Sequence, residues 1–199
     1  MMQPLWIVAI IGSYLLGAIP FGVLIAKYGY HTDIRQFGSQ NTGATNVWRV
    51  LGPGPGASTF VLDFLKGLGP VLVSKHLFEQ VTLIPILVGM AAIVGHNWSL
   101  FLNGKGGKGV ATSAGVFLGL IPMHTLIAVS AFGIVFIITR RISIGSMASA
   151  LTLVGSTFFI NTPLSMRIVS ILASIMILIK HLPNIKRLAR GEEPKVNLR

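Results

Sequence analysis

The stretch LWIVAIIGSYLLGAIPFGVLIA, residues 5–26, decides the fold class of the chain because it contains no charged side chain. A helix rises about 1.5 Å per residue, so this segment is long enough to cross the hydrocarbon core of a bilayer, which is about 30 Å thick. The segment is too long, and lacks the basic leader, to be a cleaved signal peptide. It therefore predicts a transmembrane helix.

Six further apolar segments follow the first one. Hydropathy places them at residues 56–74, 81–96, 110–121, 123–139, 144–160 and 164–180. The segment 110–121 is short for a full crossing, and we expect it to be tilted, kinked or partly interfacial. The chain is 52% hydrophobic and only 11% charged, which is far too apolar for a soluble domain. We predict an all-α polytopic membrane protein of about seven transmembrane helices, in a single domain over residues 1–199.

The net charge of +11 is distributed unevenly along the chain. Alternate loops and the C-terminal tail carry most of the basic side chains: Lys27, Arg35, Arg49, Lys105, Lys108, Arg140, Arg141, Lys180, Lys186, Arg187, Arg190, Lys195 and Arg199. Because the opposite loops hold only Lys75 and Arg167, the positive-inside rule places the N-terminus outside and the C-terminus in the cytoplasm. The basic face also predicts affinity for anionic membrane lipid. No aromatic side chains interleave with the basic ones, so we expect no nucleic-acid partner.

Nearly all polar side chains capable of chemistry lie in the loops on the predicted cytoplasmic side. The outer connections are short, as in IPMH (121–124) and INTPL (160–164). Helices that start on the cytoplasmic side direct their free N–H groups and positive dipole end towards the cytoplasm. Two motifs stand at such starts, NGKGGKGVAT (103–112) and RRISIGS (140–146), and helix starts of this kind bind anions. We therefore expect the active site at the cytoplasmic face.

The motif NGKGGKGVAT is similar to a phosphate-binding P-loop but lacks two of its parts. Neither lysine is followed by Ser or Thr, and no strand precedes the loop, so a nucleotide site is disfavoured. Glycines let backbone N–H groups approach an anion, and lysines supply point charges. The candidate ligands are Lys105, Gly106, Gly107, Lys108, Gly109 and Thr112. The alternative is a flexible loop whose lysines only satisfy the positive-inside rule.

The first long loop contains GSQNTGATNVWR, residues 38–49. Its hydroxyl, amide and guanidinium groups suit a polyol phosphate, since arginine donates two N–H groups to a phosphate. The candidate residues are Ser39, Asn41, Thr42, Thr45, Asn46 and Arg49. The alternative is an ordinary turn, because turns are built from the same residue types.

Two pairs of polar residues complete the candidates. His181 and Asn184 are three residues apart, so they share one face if the last apolar helix continues through them. The alternative for this tail is a basic anchor at the membrane surface. Asp63 and Lys66 lie inside an apolar segment, where unpaired charge is costly, and we expect a structural ion pair.

The three long motifs resemble those of the PlsY family of membrane acyl-phosphate:glycerol-3-phosphate acyltransferases. They read GSQNTGATNVWR (38–49), GHNWSLFLNGKGGKGVAT (95–112) and HLPNIKRLARGEEPK (181–195). LDFLKG (62–67) and RRISIGS (140–146) also resemble family stretches, so the resemblance spans the whole chain. Two positions depart from the pattern: Gln40 stands where a glycine is usual, and Asn103 where the second motif commonly has other residues.

The resemblance implies a multi-pass enzyme of the bacterial inner membrane that transfers a fatty acyl group from acyl phosphate to sn-glycerol 3-phosphate, without a metal or cofactor. Because an acyl phosphate is already activated, orientation and charge stabilisation suffice. We assign Ser39, Arg49 and Lys105 to the glycerol phosphate, and His181 and Asn184 to the attacking hydroxyl. We assign the acyl phosphate and its leaving group to residues of the second motif and of the 140–146 stretch. These are Lys108, the N–H groups of Gly106–Gly109, Ser143 and Ser146.

The proton acceptor stays open at this stage. No carboxylate is available in these loops as an obvious base, and no histidine has an aspartate five residues later, so the departing phosphate is one acceptor. His181 or His96 acting as general base is the rival.

Two functions of other classes also stay open. An anion or sugar-phosphate transporter would bind its ligand near the midplane between internal repeats, and no repeat is evident here. A membrane scaffold binding anionic lipid through its basic tail would not need the hydroxyl-rich first loop. The absence of cysteine excludes disulfides, thiolate-bound metals and a cysteine nucleophile.

Overall fold

A computed structural model describes residues 3–196, and within that range all regular secondary structure is helical, without a β-strand. Arg199, counted above among the basic tail residues, lies outside the described residues. The longer helices are α1 (Gln3–Ala18), α4 (Pro53–Leu77), α5 (Leu83–Asn97), α6 (Val110–Leu120), α7 (Pro122–Thr139), α8 (Ile142–Phe159) and α9 (Leu164–Lys180). The short ones are α2 (Phe21–Leu24), which continues as a π-helical turn over Ile25–Gly29, α3 (Ala44–Leu51), α10 (Leu182–Ala189), and 3-10 turns at Ile34–Gln36 and Leu100–Leu102.

Six of the seven predicted apolar segments each coincide with one helix, whereas the first, 5–26, covers α1, α2 and the start of the π-helical turn, with a break at Ile19 and Pro20. The all-α fold class is confirmed. Five helical stretches within residues 3–196 are long and apolar enough to cross a membrane, or six if α9 and α10 are counted as one bent span. Helix α6 is shorter than the others, as the sequence predicts. Apolar side chains cover the outer faces of these helices, for instance Ile138 and Phe159, which are 75% and 91% exposed. Such faces are stable in lipid rather than in water; the number of crossings and the orientation stay predictions.

The chain divides into two compact units, one up to Gly119 and one from Leu120 onward. In the first unit the helices pack backbone to backbone at glycines, as is common in membranes. A methyl group on Gly67 or Gly115 of this unit would overlap a backbone oxygen of the neighbouring helix, that of Thr112 or Phe64. Glycine at these positions therefore brings α4 and α6 into direct contact. The single domain over residues 1–199 stays a prediction.

In the second unit α8 and α9 are joined by a hydrogen bond from a side chain to the backbone, in which the Ser174 hydroxyl donates to the Ala150 carbonyl over 2.8 Å. The last apolar helix does not continue straight through His181 and Asn184, so the condition under which they would share one face of it is not met. The axis bends by 53° between α9 and α10, at His181. Pro183 explains the bend, because a proline has no N–H for the helical ladder and its ring clashes with the carbonyl four residues earlier.

Candidate active site

Asn46 organises the first long loop. It is 1% exposed on α3, and its carboxamide bonds only to backbone of that loop: Nδ2 donates to the carbonyls of Ile34 (3.1 Å) and Phe37 (3.0 Å), and Oδ1 accepts the Ser39 N–H (2.8 Å). Both of its N–H donors are thus used. The contacts favour a role in shaping the loop over the substrate contact that the sequence suggests for Asn46.

The other candidates of this loop lie around that anchor. Ser39 is half-buried beside Asn46, Thr42 is buried, and Thr45 and Arg49 are exposed on α3. Asn41 Oδ1 accepts the Gly43 N–H over 3.0 Å, which forms a local turn.

Both positions that depart from the family pattern have left-handed backbone. Gln40 has φ of +59° and Asn103 has φ of +51°. A glycine adopts this conformation freely, whereas it costs most other residues about 1 kcal/mol. Asparagine tolerates it, so Gln40 is the more strained of the two.

The glycine–lysine loop folds back onto the end of α5. The Gly107 N–H donates to the His96 carbonyl over 3.0 Å. A methyl group on Gly106 would overlap that carbonyl oxygen, and one on Gly107 would overlap His96 Nε2. The loop thus has a defined conformation that only glycine permits, which argues against the flexible-loop alternative.

The lysines and the hydroxyl of this motif differ in exposure. Lys105 is exposed and Lys108 is half-buried. Gly109 has φ of +80°, and Thr112 is fully buried one turn into α6 with a hydroxyl that has no hydrogen-bond partner.

A buried cluster of charged groups adjoins this loop. The expected ion pair of Asp63 and Lys66 is confirmed, with Oδ1 and Nζ 2.6 Å apart. The sequence did not predict that His96 joins it, its Nδ1 lying 3.6 Å from the same carboxylate oxygen. Together with Thr42, Gly106 and Gly107, these three side chains line one small cavity.

In the second unit a carboxylate holds the third motif together. Glu193, 6% exposed, accepts hydrogen bonds from Asn184 Nδ2 (2.6 Å) and Arg187 Nε (2.8 Å), while its backbone carbonyl accepts from Arg141 Nε (3.1 Å). His181 is also buried and lies with Nδ1 2.8 Å from the Ile177 carbonyl oxygen.

The charge of Glu193 is stabilised by these neighbours. Burial raises the pKa of Glu193, but the hydrogen bonds from Asn184 and Arg187 and the charge of Arg187 outweigh it, so the pKa lies below its ordinary value. Glu193 is therefore ionised at neutral pH.

The two serines at the start of α8 differ. The Ser146 hydroxyl donates to the Ile142 carbonyl over 2.9 Å, whereas the buried Ser143 hydroxyl has no hydrogen-bond partner. The anion-binding role of these serines stays a prediction.

Two carboxylates lie beside candidate residues, Asp63 beside His96 and Glu193 beside Asn184. Each is bonded to a basic side chain, Lys66 or Arg187, and the absence of an obvious carboxylate base in the loops stays a prediction. A search for an aspartate five residues after a histidine could not find the first pair, because its members belong to different helices. The second was detectable in part, since Glu193 lies within the third motif.

Comparison with known proteins gives consistent results. The sequence profile described as "Glycerol-3-phosphate acyltransferase" matches residues 7–191. Glycerol-3-phosphate acyltransferases of Desulforamulus reducens and Prochlorococcus marinus are 41% and 42% identical, covering 96% of this chain and 94% and 98% of theirs. The crystal structure of PlsY, an integral membrane glycerol 3-phosphate acyltransferase, in its glycerol 3-phosphate form matches with a TM-score of 0.92 at 35% identity over 96% of both chains. The lysophosphatidic acid form of PlsY matches with a TM-score of 0.89 at 34% identity, over 96% of this chain and 95% of that one.

Proposed function

The chain belongs to the PlsY family of membrane glycerol-3-phosphate acyltransferases, and from this premise we propose that it transfers a fatty acyl group from acyl phosphate to the 1-hydroxyl of sn-glycerol 3-phosphate. The products are lysophosphatidic acid and inorganic phosphate, in the first acylation step of phospholipid synthesis. The observation that carries the proposal is the match to the glycerol 3-phosphate form of PlsY over 96% of both chains. We place the protein in the bacterial inner membrane, with the N-terminus outside and the loops of the site in the cytoplasm.

The reaction needs no further reactant. The hydroxyl oxygen forms an ester bond to the acyl carbon, the bond from that carbon to the phosphate oxygen breaks, and the hydroxyl proton passes to the departing phosphate or to a histidine base. Because the donor is a mixed anhydride, the protein has to align the two substrates and stabilise charge on the phosphates.

In the proposed site, Ser39, Arg49 and Lys105 hold the phosphate of glycerol 3-phosphate. Arg49 and Lys105 are exposed, so both can reach a ligand from solvent. The loop around Asn46 supports this role for Ser39, because the Asn46 bond fixes the backbone of that residue.

The glycine–lysine loop binds the acyl phosphate. Its backbone is fixed by the Gly107 N–H, which donates to the His96 carbonyl. The assignment of that N–H group to the phosphate is therefore wrong, and the N–H groups of Gly106 and Gly109 are the proposed donors of a pre-organised loop to which Lys108 adds a positive charge. The buried Thr112 hydroxyl at the start of α6 adds a donor.

His181 and Asn184 position the attacking hydroxyl. The Ile177 carbonyl can only accept, so His181 Nδ1 carries the proton in the neutral ring and Nε2 is the accepting nitrogen. In this role the ring orients the hydroxyl, whether the proton ends on the departing phosphate or on the histidine.

The test compares acyl donors on the purified protein in detergent. We expect lysophosphatidic acid from palmitoyl phosphate and glycerol 3-phosphate, and none from palmitoyl-CoA. Product from the CoA ester would refute the donor assignment. If no donor gives lysophosphatidic acid and the protein carries glycerol 3-phosphate into sealed vesicles, the transporter hypothesis is favoured.

The role of histidine is tested separately by His181→Gln and His96→Gln. If either histidine is the base, the pH dependence of kcat should disappear in its variant. Activity retained in both variants would leave the departing phosphate as proton acceptor.

A further inference from the structure

Three buried ionisable side chains meet inside the first unit, beside the glycine–lysine loop. Asp63, Lys66 and His96 are 2%, 3% and 7% exposed. The Asp63 carboxylate contacts the lysine over 2.6 Å and the His96 ring over 3.6 Å. One carboxylate thus serves two basic groups that come from different helices, α4 and α5.

Stability alone does not account for this arrangement. A buried ion pair is often no more stable than apolar side chains of the same size, because both charges have lost their water. In a membrane protein buried ionisable groups are costly and commonly belong to a functional site. The third member, His96, is the one that connects the pair to the candidate site.

His96 contacts the loop through both its backbone and its ring. Its carbonyl accepts the Gly107 N–H over 3.0 Å, and its Nε2 lies where a side chain at position 107 would begin. The negative charge of Asp63 next to Nδ1 favours the ring form with the proton on that nitrogen. The ring therefore presents Nε2 to Gly107 in a fixed orientation.

Lys66 makes a second connection, to the end of α1. Its Nζ donates to the Ile19 carbonyl over 2.8 Å, and the Ser99 hydroxyl donates to the neighbouring Ala18 carbonyl over 2.6 Å. These carbonyls lie at the end of a helix, where no helical N–H is available for them. These two hydrogen bonds hold the end of α1, just before Pro20, against α4 and against the segment that follows α5.

We propose that Asp63 and Lys66 are positioning residues, which hold the His96 ring against Gly107 and so set the conformation of the glycine–lysine loop that binds the acyl phosphate. The expected effect of these residues on catalysis rests on the proposed function, whereas their expected effect on the loop conformation does not. Asp63 acts through His96 and touches no substrate.

A double-mutant cycle tests whether Asp63 acts through His96. Asp63→Asn keeps the size of the side chain and removes its charge, and we expect kcat/KM to fall about 10- to 100-fold. In the His96→Gln background, the same substitution should have almost no further effect. If the loss of kcat/KM in the double variant equals the product of the losses in the two single variants, Asp63 acts independently of His96 and the proposal is overturned.

A second measurement separates positioning from folding. Removal of either charge alone should lower the thermal midpoint, since the other is left buried and unpaired. The double variant Asp63→Asn/Lys66→Met removes both charges and should recover the midpoint but not kcat. If kcat recovers together with the midpoint, the pair is only structural and the proposal is wrong.

A third measurement is independent of catalysis. Trypsin cleaves after Lys105 and Lys108, and we expect cleavage of the native protein in this loop to be several-fold faster in Asp63→Asn. Glu79→Gln is the matched control, because Glu79 forms an exposed pair with His76 at the same spacing; its cleavage rate and kcat should equal those of the wild type. Unchanged cleavage in Asp63→Asn would overturn the proposal, whereas inactivity of the wild type with acyl phosphate would refute only the proposed function.

Discussion

Gly106→Ala should disable the glycine–lysine loop by a steric effect that can be estimated from the structure. The added methyl group would overlap the His96 carbonyl oxygen and contact the backbone of Asn97. These atoms belong to the end of a helix, so the loop has to move instead, by about 1 Å to reach ordinary van der Waals distance.

This displacement has two costs. It weakens the hydrogen bond from the Gly107 N–H to the His96 carbonyl, now 3.0 Å long, which contributes about 1 kcal/mol to stability. It also misplaces the phosphate-binding N–H groups, and a misplacement of about 1 Å lowers the rate on the order of 100-fold, or about 2.7 kcal/mol of transition-state stabilisation. We therefore expect kcat/KM for acyl phosphate to fall about 100-fold, while the protein stays folded.

The assay is formation of lysophosphatidic acid by purified variants of matched thermal midpoint. Gly54→Ala is the control, because a methyl group there contacts nothing within 4 Å, and its rate should equal the wild-type rate. Gly104→Ala separates the effect of backbone conformation from the effect of steric overlap, since Gly104 has φ of +77° but has open space where a methyl group would lie. We expect a smaller loss of kcat/KM than for Gly106→Ala. A wild-type rate in Gly106→Ala, or an equal loss in Gly54→Ala, would refute the reasoning.

Three further predictions concern stability, measured as thermal midpoints in detergent. Asn46→Ala removes three hydrogen bonds of about 1 kcal/mol each, so its midpoint should fall by several degrees; an unchanged midpoint would contradict the anchoring role. Gly115→Ala places a methyl group on the Phe64 carbonyl and should cost about 1–3 kcal/mol; a more stable variant would show that α4 and α6 separate freely. The pKa of Glu193 is lowered in the folded protein, so its ionised side chain stabilises the fold above pH 4.5, the ordinary pKa of a glutamate. This stabilisation is lost as the pH falls through the lowered pKa. The midpoint difference between wild type and Glu193→Gln should therefore be constant from pH 7 to about pH 5 and shrink below pH 4.5, and a change between pH 7 and pH 5.5 would contradict this.

The apolar helices were predictable from the sequence because burial in lipid depends on the average composition of a segment. The spans 123–139 and 164–180 differ by at most one residue from α7 and α9. The short helices α3 and α10 were not predicted, since both carry polar side chains that do not stand out in hydropathy. The bend at His181 was missed, although Pro183 indicates it.

The candidate site was predictable in its residue types but not in its contacts. Glycines and lysines at 104–109 indicate an anion loop, but only the fold shows that Gly106 and Gly107 pack on His96. Asp63 and His96 meet because two helices pack side by side, and no local motif records such a pair. Asn46 carries no sequence signal that separates a loop anchor from a ligand, because an amide serves both roles equally well.

The central claim is direct acyl transfer from acyl phosphate to glycerol 3-phosphate, and the most direct test measures both products together. Purified protein is supplied with palmitoyl phosphate and glycerol 3-phosphate, and the lysophosphatidic acid and inorganic phosphate are quantified over one time course. We predict equal amounts of the two products at every time, and no enzymatic phosphate release when glycerol 3-phosphate is omitted. Phosphate release without ester, or ester formed without phosphate release, would contradict the account.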